Sequence, residues 1–342
     1  MIVINGRFLT QKVTGVQRYA RELIRALDEI VDKDEVLLAL PPEAVEYPVY
    51  KNIKVVRIGK LHNRLWEHLS LPLYSIKSHA TSLNLCNVAP LLSPGIVCQH
   101  GAHTRSRPQD YGLKFLLWYR LLGWNQGHRC KRILTVSDFS KSEILKYQPN
   151  VNSDKIIVIP NAWQHFERTG FDDNTLTKYG LEKEKYYFSM SSFEPNKNFK
   201  WVAETAKRNP DIKFAVSGAI NEKVFADGLG FKRPENMLLL GYVSDAEAKT
   251  LMRDCAGFLF PTYYEGFGIP PLEALSAGAK RIVVADIPVM HEVFEGEVYY
   301  IDPDRYDYDL SQVPERKGNK ALYKYSWEKS ARKLYDEVIK KF

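Results

Sequence analysis

Contiguous apolar runs alternate with helical apolar spacings along the chain. Runs at residues 2–4, 36–40, 53–58, 186–190, 212–216, 237–240, 257–260, 281–285 and 298–301 are short and rich in Val, Ile, Leu and aromatic residues. Strands buried on both faces of a parallel sheet read this way. Ala20, Leu23, Ile24 and Leu27 follow at helical spacing behind Thr14-Gly15, and Leu334, Val338 and Ile339 do so behind Ser326-Trp327-Glu328-Lys329. Strand followed by helix, repeated, predicts an α/β protein with doubly wound sheets. At 342 residues the chain exceeds the roughly 250–300 that one core serves, so two domains are expected. The first spans residues 1–165 and closes with a strand over 155–161. A linker is expected near 162–170, a second domain over 166–325, and a terminal helix over 326–342.

The densest pattern lies at residues 255–280. A buried strand ends at Pro261, and a tight loop holds Glu265, Gly266, Phe267 and Gly268. Pro270 and Pro271 open a helix that stops at Gly278. Proline suits the first helical turn, where its missing N–H costs nothing, and glycine suits the C-terminal cap. A glycine loop ahead of a helix N-terminus presents backbone amides and the positive end of the dipole to an anion. Glu265 and Glu273 bracket that site eight positions apart, with Glu273 placed in the first helical turn. Carboxylates beside an anion hole suit a ligand that also brings hydroxyls, as a sugar does.

Charge adds a second feature. The formal net charge is +7, but 22 Lys and Arg stand against 13 Asp and Glu in residues 1–165, and 26 against 28 in the remainder. A basic half facing a near-neutral half suggests that the first domain meets something anionic. Residues 111–132 interleave Tyr111, Phe115, Trp118, Tyr119 and Trp124 with Lys114, Arg120, Arg129, Lys131 and Arg132. Such a helix suits either the headgroup layer of an anionic membrane or an ordinary core with a solvated basic face. No helix-turn-helix, zinc-finger or RNP signature points to nucleic acid. Residues 61–76, with Trp66, His68 and Tyr74, suggest packing or acceptor contact.

Four cysteines without C-x-x-C spacing read as core residues of a reducing cytoplasm. No secretory signal is legible at the start, and no apolar run approaches the length of a membrane span. Asp32-Lys-Asp34, Asp302-Pro-Asp304 and Asp307-Tyr-Asp309 have the spacing of a metal-holding pair, but they sit in polar loops and read as turns and caps.

The string Pro261, Glu265–Gly268, Pro270, Leu272–Ala274, Ala277 and Gly278 resembles the E-x7-E region of retaining glycosyltransferases with the GT-B architecture. More narrowly it is similar to glycosyltransferase family 4 (glycosyl transferases group 1). Ser191-Ser192-Phe193-Glu194-Pro195-Asn196-Lys197-Asn198 resembles that family's G-S-x-E-P-R-K-N, with Ser191 and Asn196 as departures. His100 stands where the family has His-Asp, with Gly101 replacing the Asp, and Gly15 stands where it has two glycines.

The resemblance implies two Rossmann-like domains facing each other across a cleft, with the C-terminal helix returning to the first. It implies a metal-independent hexosyltransferase, without cofactor, that moves a hexose or deoxyhexose from a nucleotide-sugar to a glycan or lipid-linked glycan with retention at the anomeric carbon. His100 and Glu265 would then be catalytic. Gly15, Ser191, Lys197, Val243, Gly266, Phe267, Gly268 and Glu273 would hold the nucleotide-sugar, with Lys197 on the diphosphate and Glu273 on the ribose. Surface polysaccharide synthesis at the inner face of a bacterial membrane is the implied setting. Two other readings stay open: another GT-B enzyme, a phosphorylase or nucleotide-sugar epimerase, or a silent nucleotide-sugar-binding partner of a transferase.

Overall fold

The computed structural model describes residues 1–192, 194–218 and 233–342; Phe193 of the Ser191–Asn198 motif lies outside the described residues. The chain divides into two compact units, one made of residues 1–161 with Tyr325–Phe342, the other of Ala162–Lys324.

The first unit carries seven parallel strands: β1 (Ile2–Asn5), β2 (Val36–Leu40), β3 (Lys54–Arg57), β4 (Thr81–Asn84), β5 (Ile96–Cys98), β6 (Arg132–Thr135) and β7 (Ile156–Val158). Their order is β3-β2-β1-β4-β5-β6-β7. Strands β1 and β2 are buried along their whole length, which is why those stretches are unbroken apolar runs rather than alternating ones. The order reverses between β1 and β4, where Ile4 pairs with Leu83. Helix α1 (Gly15–Asp28) covers the sheet through Tyr19, Ala20, Leu23, Ile24 and Leu27. Helix α2 (Leu113–Arg129) follows later in the unit. It is shorter than the 111–132 stretch read from the sequence, because Arg132 already begins β6.

The second unit repeats the wind with six parallel strands: β8 (Tyr186–Met190), β9 (Lys213–Ser217), β10 (Met237–Gly241), β11 (Gly257–Phe260), β12 (Ile282–Ala285) and β13 (Tyr299–Ile301). The order β10-β9-β8-β11-β12-β13 places its reversal between β8 and β11. Three helices matter below: α3 (Phe199–Arg208), α4 (Asp245–Asp254) and α5 (Ile269–Ala277). Trp201, Phe214, Val216, Leu259 and Val283 pack into one core on this sheet. In a doubly wound sheet the crevice for ligands opens beyond the carboxyl ends of the strands that flank the reversal.

The segment expected to be a linker is packed. Ala162, His165 and Phe166 are buried, and Lys249 of α4 donates to the carbonyls of Phe166 and Thr169 at 2.5 and 2.6 Å. Lys249 thus satisfies carbonyls that a loose linker would leave to water.

Helix α6 (Trp327–Glu337) closes the first unit, as the expected return of the C-terminal helix requires. Ser326 caps it by accepting from the Lys329 amide at 3.0 Å. Trp327 is buried and meets the Tyr19 ring edge-on at 6.0 Å between centroids. Ser330 donates to the Pro160 carbonyl at 2.8 Å.

Candidate functional site

Two loops leave the carboxyl ends of β8 and β11 at the reversal of the second sheet. The first, from Ser191 to Asn198, ends in a short 3-10 turn at Pro195–Lys197 and feeds α3. Asn198 takes a left-handed conformation, with φ of 55°, and its side chain caps α3 while donating to the carbonyls of Pro261 and Pro303. Asparagine is one of the few side chains that tolerates that backbone region. The second loop runs from Pro261 to Gly268 into α5. Asn196 ties the loops together: its side-chain amide donates to Tyr264 O at 3.3 Å, and its main-chain carbonyl accepts from the Tyr263 amide at 2.8 Å. The asparagine at this departure from the family motif is therefore a buried tether.

Two of the candidate side chains meet at that junction. Lys197 Nζ donates to Glu265 Oε1 at 2.8 Å, with 17% and 13% of the two side chains exposed. Glu265 is thus mostly buried and paired rather than solvated. One ammonium proton is engaged there, and two more remain for a ligand. Around the junction Asn196 Oδ1, Ser217 Oγ and Thr262 Oγ1 are buried without a partner among the described residues. Buried polar atoms are nearly always satisfied, so orphans at the ends of neighbouring strands fit a polar ligand.

Helix α5 begins at Ile269 behind Gly268, whose φ of 94° no side chain adopts without strain. Gly266 lies outside the positive-φ region, so the conformational need falls on Gly268 alone. Pro270 and Pro271 bring no N–H, so the first turn of α5 has fewer amides for an anion than its place behind a glycine loop suggests. Glu273 is the fifth helical residue, not part of the first turn, and is buried. His165 Nε2 lies 2.7 Å from its Oε1, with 2% and 6% of the side chains exposed. Ser191 follows β8, its amide bonded to Ser217 O at 3.2 Å. Val243 is buried between β10 and the Ser244 cap of α4, beside an exposed Tyr242.

Gly15 and His100 belong to the first unit. Gly15 is the first helical residue of α1, capped by Thr14, and not a turn glycine. His100 follows β5. Its Nε2 lies 2.8 Å from Leu85 O and its amide 2.8 Å from Asn87 Oδ1. A carbonyl only accepts, so Nε2 carries the proton and Nδ1 is the acceptor. The Leu85 carbonyl thus fixes the tautomer where Gly101 replaces an acid. Burial pulls the ring's pKa down to about 4, so it is neutral at pH 7. Tyr19 meets the ring edge-on at 4.9 Å. The three Asp-x-Asp pairs have local roles, such as Asp309 capping the turn at Leu310–Gln312 and Asp307 pairing with Arg305 at 3.1 Å.

The family model "Glycosyl transferases group 1" matches residues 172–308, which contain both loops and both glutamates. Over that stretch the chain is similar to the glycosyl transferases group 1. It is 27% identical over 320 residues to the O-antigen chain mannosyltransferase RfbU of Salmonella typhimurium, covering 89% of this chain and 87% of that protein. It is 31% identical over 188 residues to O-antigen chain mannosyltransferase B of Escherichia coli, over 52% of this chain and 49% of the relative. Sucrose-phosphate synthase from Thermosynechococcus elongatus shares the fold with a TM-score of 0.72 at 12% identity, over 100% of this chain and 99% of that one. HepE of Anabaena, solved with UDP and glucose, does so with a TM-score of 0.64 at 14% identity, over 99% and 97%. The two-unit α/β architecture of this glycosyltransferase is that of the GT-B fold.

His165 is the site residue that the sequence of this glycosyltransferase does not announce. It sits 108 positions from Glu273 in a stretch without a motif, and only the packing of residues 162–166 brings it there.

Proposed function

We propose that this glycosyltransferase moves a hexose or deoxyhexose, mannose first among them, from a nucleotide-sugar to a lipid-linked glycan during bacterial surface polysaccharide synthesis. Anomeric configuration is retained, and no metal is needed. The observation that carries the reading is the Lys197–Glu265 pair at the reversal of the second sheet, 2.8 Å apart and beside the amides that precede α5. When the glycosidic C–O bond breaks, negative charge grows on the departing nucleoside diphosphate. Lys197 and the positive end of α5 offset it in a partly water-excluded pocket. Glu265 accepts from donor-sugar hydroxyls and faces the positive charge that develops at the anomeric carbon. Glu273, with Oε1 held by His165, offers Oε2 to the ribose, and Ser191, Phe267 and Val243 shape the rest of the nucleotide site. In the first unit, His100 Nδ1 is an acceptor for a sugar hydroxyl. The names of the O-antigen mannosyltransferase relatives support the sugar and the setting.

The lipid side of the proposal rests on the first unit's surface. Helix α2 exposes Leu113, Leu117, Leu121 and Trp124, while residues 61–76 expose Leu61, Leu65, Leu69, Leu73 and Ile76. The two segments meet where His68 abuts Trp118 at 5.6 Å. Exposed Lys60, Arg64, Lys77, Lys114, Arg120 and Arg129 lie among these leucines. An apolar face within a basic field suits peripheral contact with an anionic bilayer. Among the described residues no helix is long and apolar enough to cross a membrane.

The test is nucleoside diphosphate release from a panel of nucleotide-sugars with a lipid-linked acceptor. Glu265→Ala, with folding confirmed by circular dichroism, should lower turnover at least 100-fold, the scale on which transition-state contacts operate. Unchanged turnover would refute the assignment.

A further inference from the structure

Behind His100 runs a chain of side-chain amides that the transfer reading leaves unused. The His100 main-chain amide donates to Asn87 Oδ1 at 2.8 Å. Asn87 lies shortly after β4, and its own amide donates to Cys98 O of β5 at 3.0 Å. The main-chain carbonyl of Asn87 accepts from Gln126 Nε2 of α2 at 2.9 Å. Gln126 Oε1 in turn accepts from Gln99 Nε2 at 2.7 Å, and Gln99 is the neighbour of His100 in the chain. One side chain of α2 therefore grips both the segment that holds His100 and the residue before it. Gln99 Oε1 accepts from Gln148 Nε2 at 3.1 Å, and its main-chain carbonyl accepts from Thr135 Oγ1 at 2.8 Å.

The direction of every bond follows from two groups that have no choice. A main-chain carbonyl only accepts, so Gln126 must turn Nε2 to Asn87 and Oε1 to Gln99. Gln99 then turns Nε2 to Gln126 and Oε1 to Gln148. A main-chain N–H only donates, which fixes Asn87 Oδ1 towards His100. Gln99 and Gln126 are buried. Buried polar chains of this kind are rigid while intact and costly when one member is lost. The seat of α2 is close as well. A Cβ at Gly123 would approach Arg105 Nη2 to 2.7 Å, and one at Gly127 would approach Gln148 Oε1 to 3.0 Å. Glycine weakens a helix interior, so both positions are explained by the close approach rather than by the helix itself.

We propose that Asn87 and Gln126 are positioning residues for His100, so that the seat of α2 on the first sheet sets where the imidazole stands. The Leu85 carbonyl holds the ring and Asn87 holds the main chain, both from the one segment that Gln126 clamps. The proposal rests on the reading of His100 as a site residue and adds what keeps it in place. It also ties His100 to the inner side of the helix whose outer side exposes Leu117, Leu121 and Trp124.

The test uses the full chain carrying nitrogen-15-labelled histidine. Asn87 has a φ of 61°, so Asn87→Gly removes the acceptor without backbone strain, whereas alanine would add strain of its own. Asn87→Asp keeps an oxygen for the His100 amide, and Gln126→Leu removes the clamp. At neutral pH the ring nitrogen shifts of His100, assigned by their absence in His100→Gln, should report a single Nε2–H tautomer in the wild type. Asn87→Gly and Gln126→Leu should show a mixture of tautomers and a kcat lowered about tenfold, with little change in the donor KM, since small misplacements act on the chemical step. Asn87→Asp should recover most of both effects. Should Gln126→Leu fold poorly by circular dichroism, Gln126→Glu takes its place, because it keeps the acceptor for Gln99 and loses the donor to Asn87. An unchanged tautomer in Asn87→Gly, or an Asn87→Asp as impaired as Asn87→Gly, overturns the proposal. So does an unchanged kcat in Asn87→Gly when His100→Ala is inactive. A shifted tautomer in Asn87→Gly beside full turnover of His100→Ala would leave the positioning assignment standing and remove His100 from the reaction instead.

Discussion

His165 Nε2 and Glu273 Oε1 lie 2.7 Å apart inside the second unit, joining the segment that opens that unit to the helix behind the glycine loop. A hydrogen bond to a charged group contributes about 1.5–3 kcal/mol, and its loss leaves a buried carboxylate oxygen unmet. His165→Ala is therefore expected to lower unfolding stability by about 2 kcal/mol and to weaken nucleoside diphosphate binding, because Glu273 loses its fixed position. Denaturant unfolding and calorimetric titration with GDP and UDP check this. Unaltered stability together with unaltered binding would show the bond to be incidental.

Gly268 carries a left-handed backbone, and a Cβ placed there would approach Met290 Cε to 2.5 Å. Gly268→Ala should cost about 1–2 kcal/mol from backbone strain, with a further loss from the contact. Because the methionine end is flexible, Met290→Ala in the same chain should recover the contact part and leave the strain part. Thermal unfolding of the two single variants and the double variant separates them. Full recovery in the double variant would mean that φ strain plays no part.

His100 sets a pH dependence whose sign can be worked out. Its folded pKa is about 4, below the ordinary histidine value near 6.5. Above about 6.5 the ring is neutral in both states and contributes no pH dependence. As pH falls from about 6.5 towards 4, the unfolded chain binds a proton there that the folded chain does not, so stability is lost across that window. In His100→Gln the unfolding free energy should fall less steeply with acid over the same range. Urea unfolding at several pH values reads the slope, and equal slopes in the two proteins would contradict the assignment.

The membrane-facing reading predicts that the protein co-sediments with phosphatidylglycerol vesicles and less with phosphatidylcholine vesicles. Replacing exposed leucines on both segments, Leu69→Glu with Leu117→Glu, should lower partitioning at least tenfold, since each buried leucine contributes about 1.5–3 kcal/mol. High salt should weaken it too, as screening shortens the reach of the basic field. Partitioning indifferent to both changes would exclude this face.

How much was legible beforehand follows from how local each feature is. The strand, glycine loop and capped helix at residues 257–278 could be read because Pro261, Gly268, Pro270 and Gly278 each act on their own backbone. The strand runs could be read because parallel strands are apolar on both faces. Lys197 and Glu265 were assigned to one site through a family motif, and the loops place them in contact. His165 was not legible, because its partner is distant in sequence and its own stretch had the composition of a linker. Gly15 stands where the family has two glycines, and here Thr14 caps the helix that Gly15 begins. A cavity in the first unit draws on four separate segments, and no spacing in the sequence records that Asn5, Glu67, Leu85 and Trp118 line it together.

Helix α6 belongs to the unit that the first 161 residues begin. During synthesis that unit stays incomplete until the whole of the second has left the ribosome. Until then Tyr19 lacks its neighbour Trp327, and the outer side of α1 stays bare. The later-made unit can settle first, while the earlier one waits for its last helix. A chain released near residue 324 should display a sticky apolar flank and become a client for chaperones or proteases, even though every residue of its glycine loop and both glutamates had already been made.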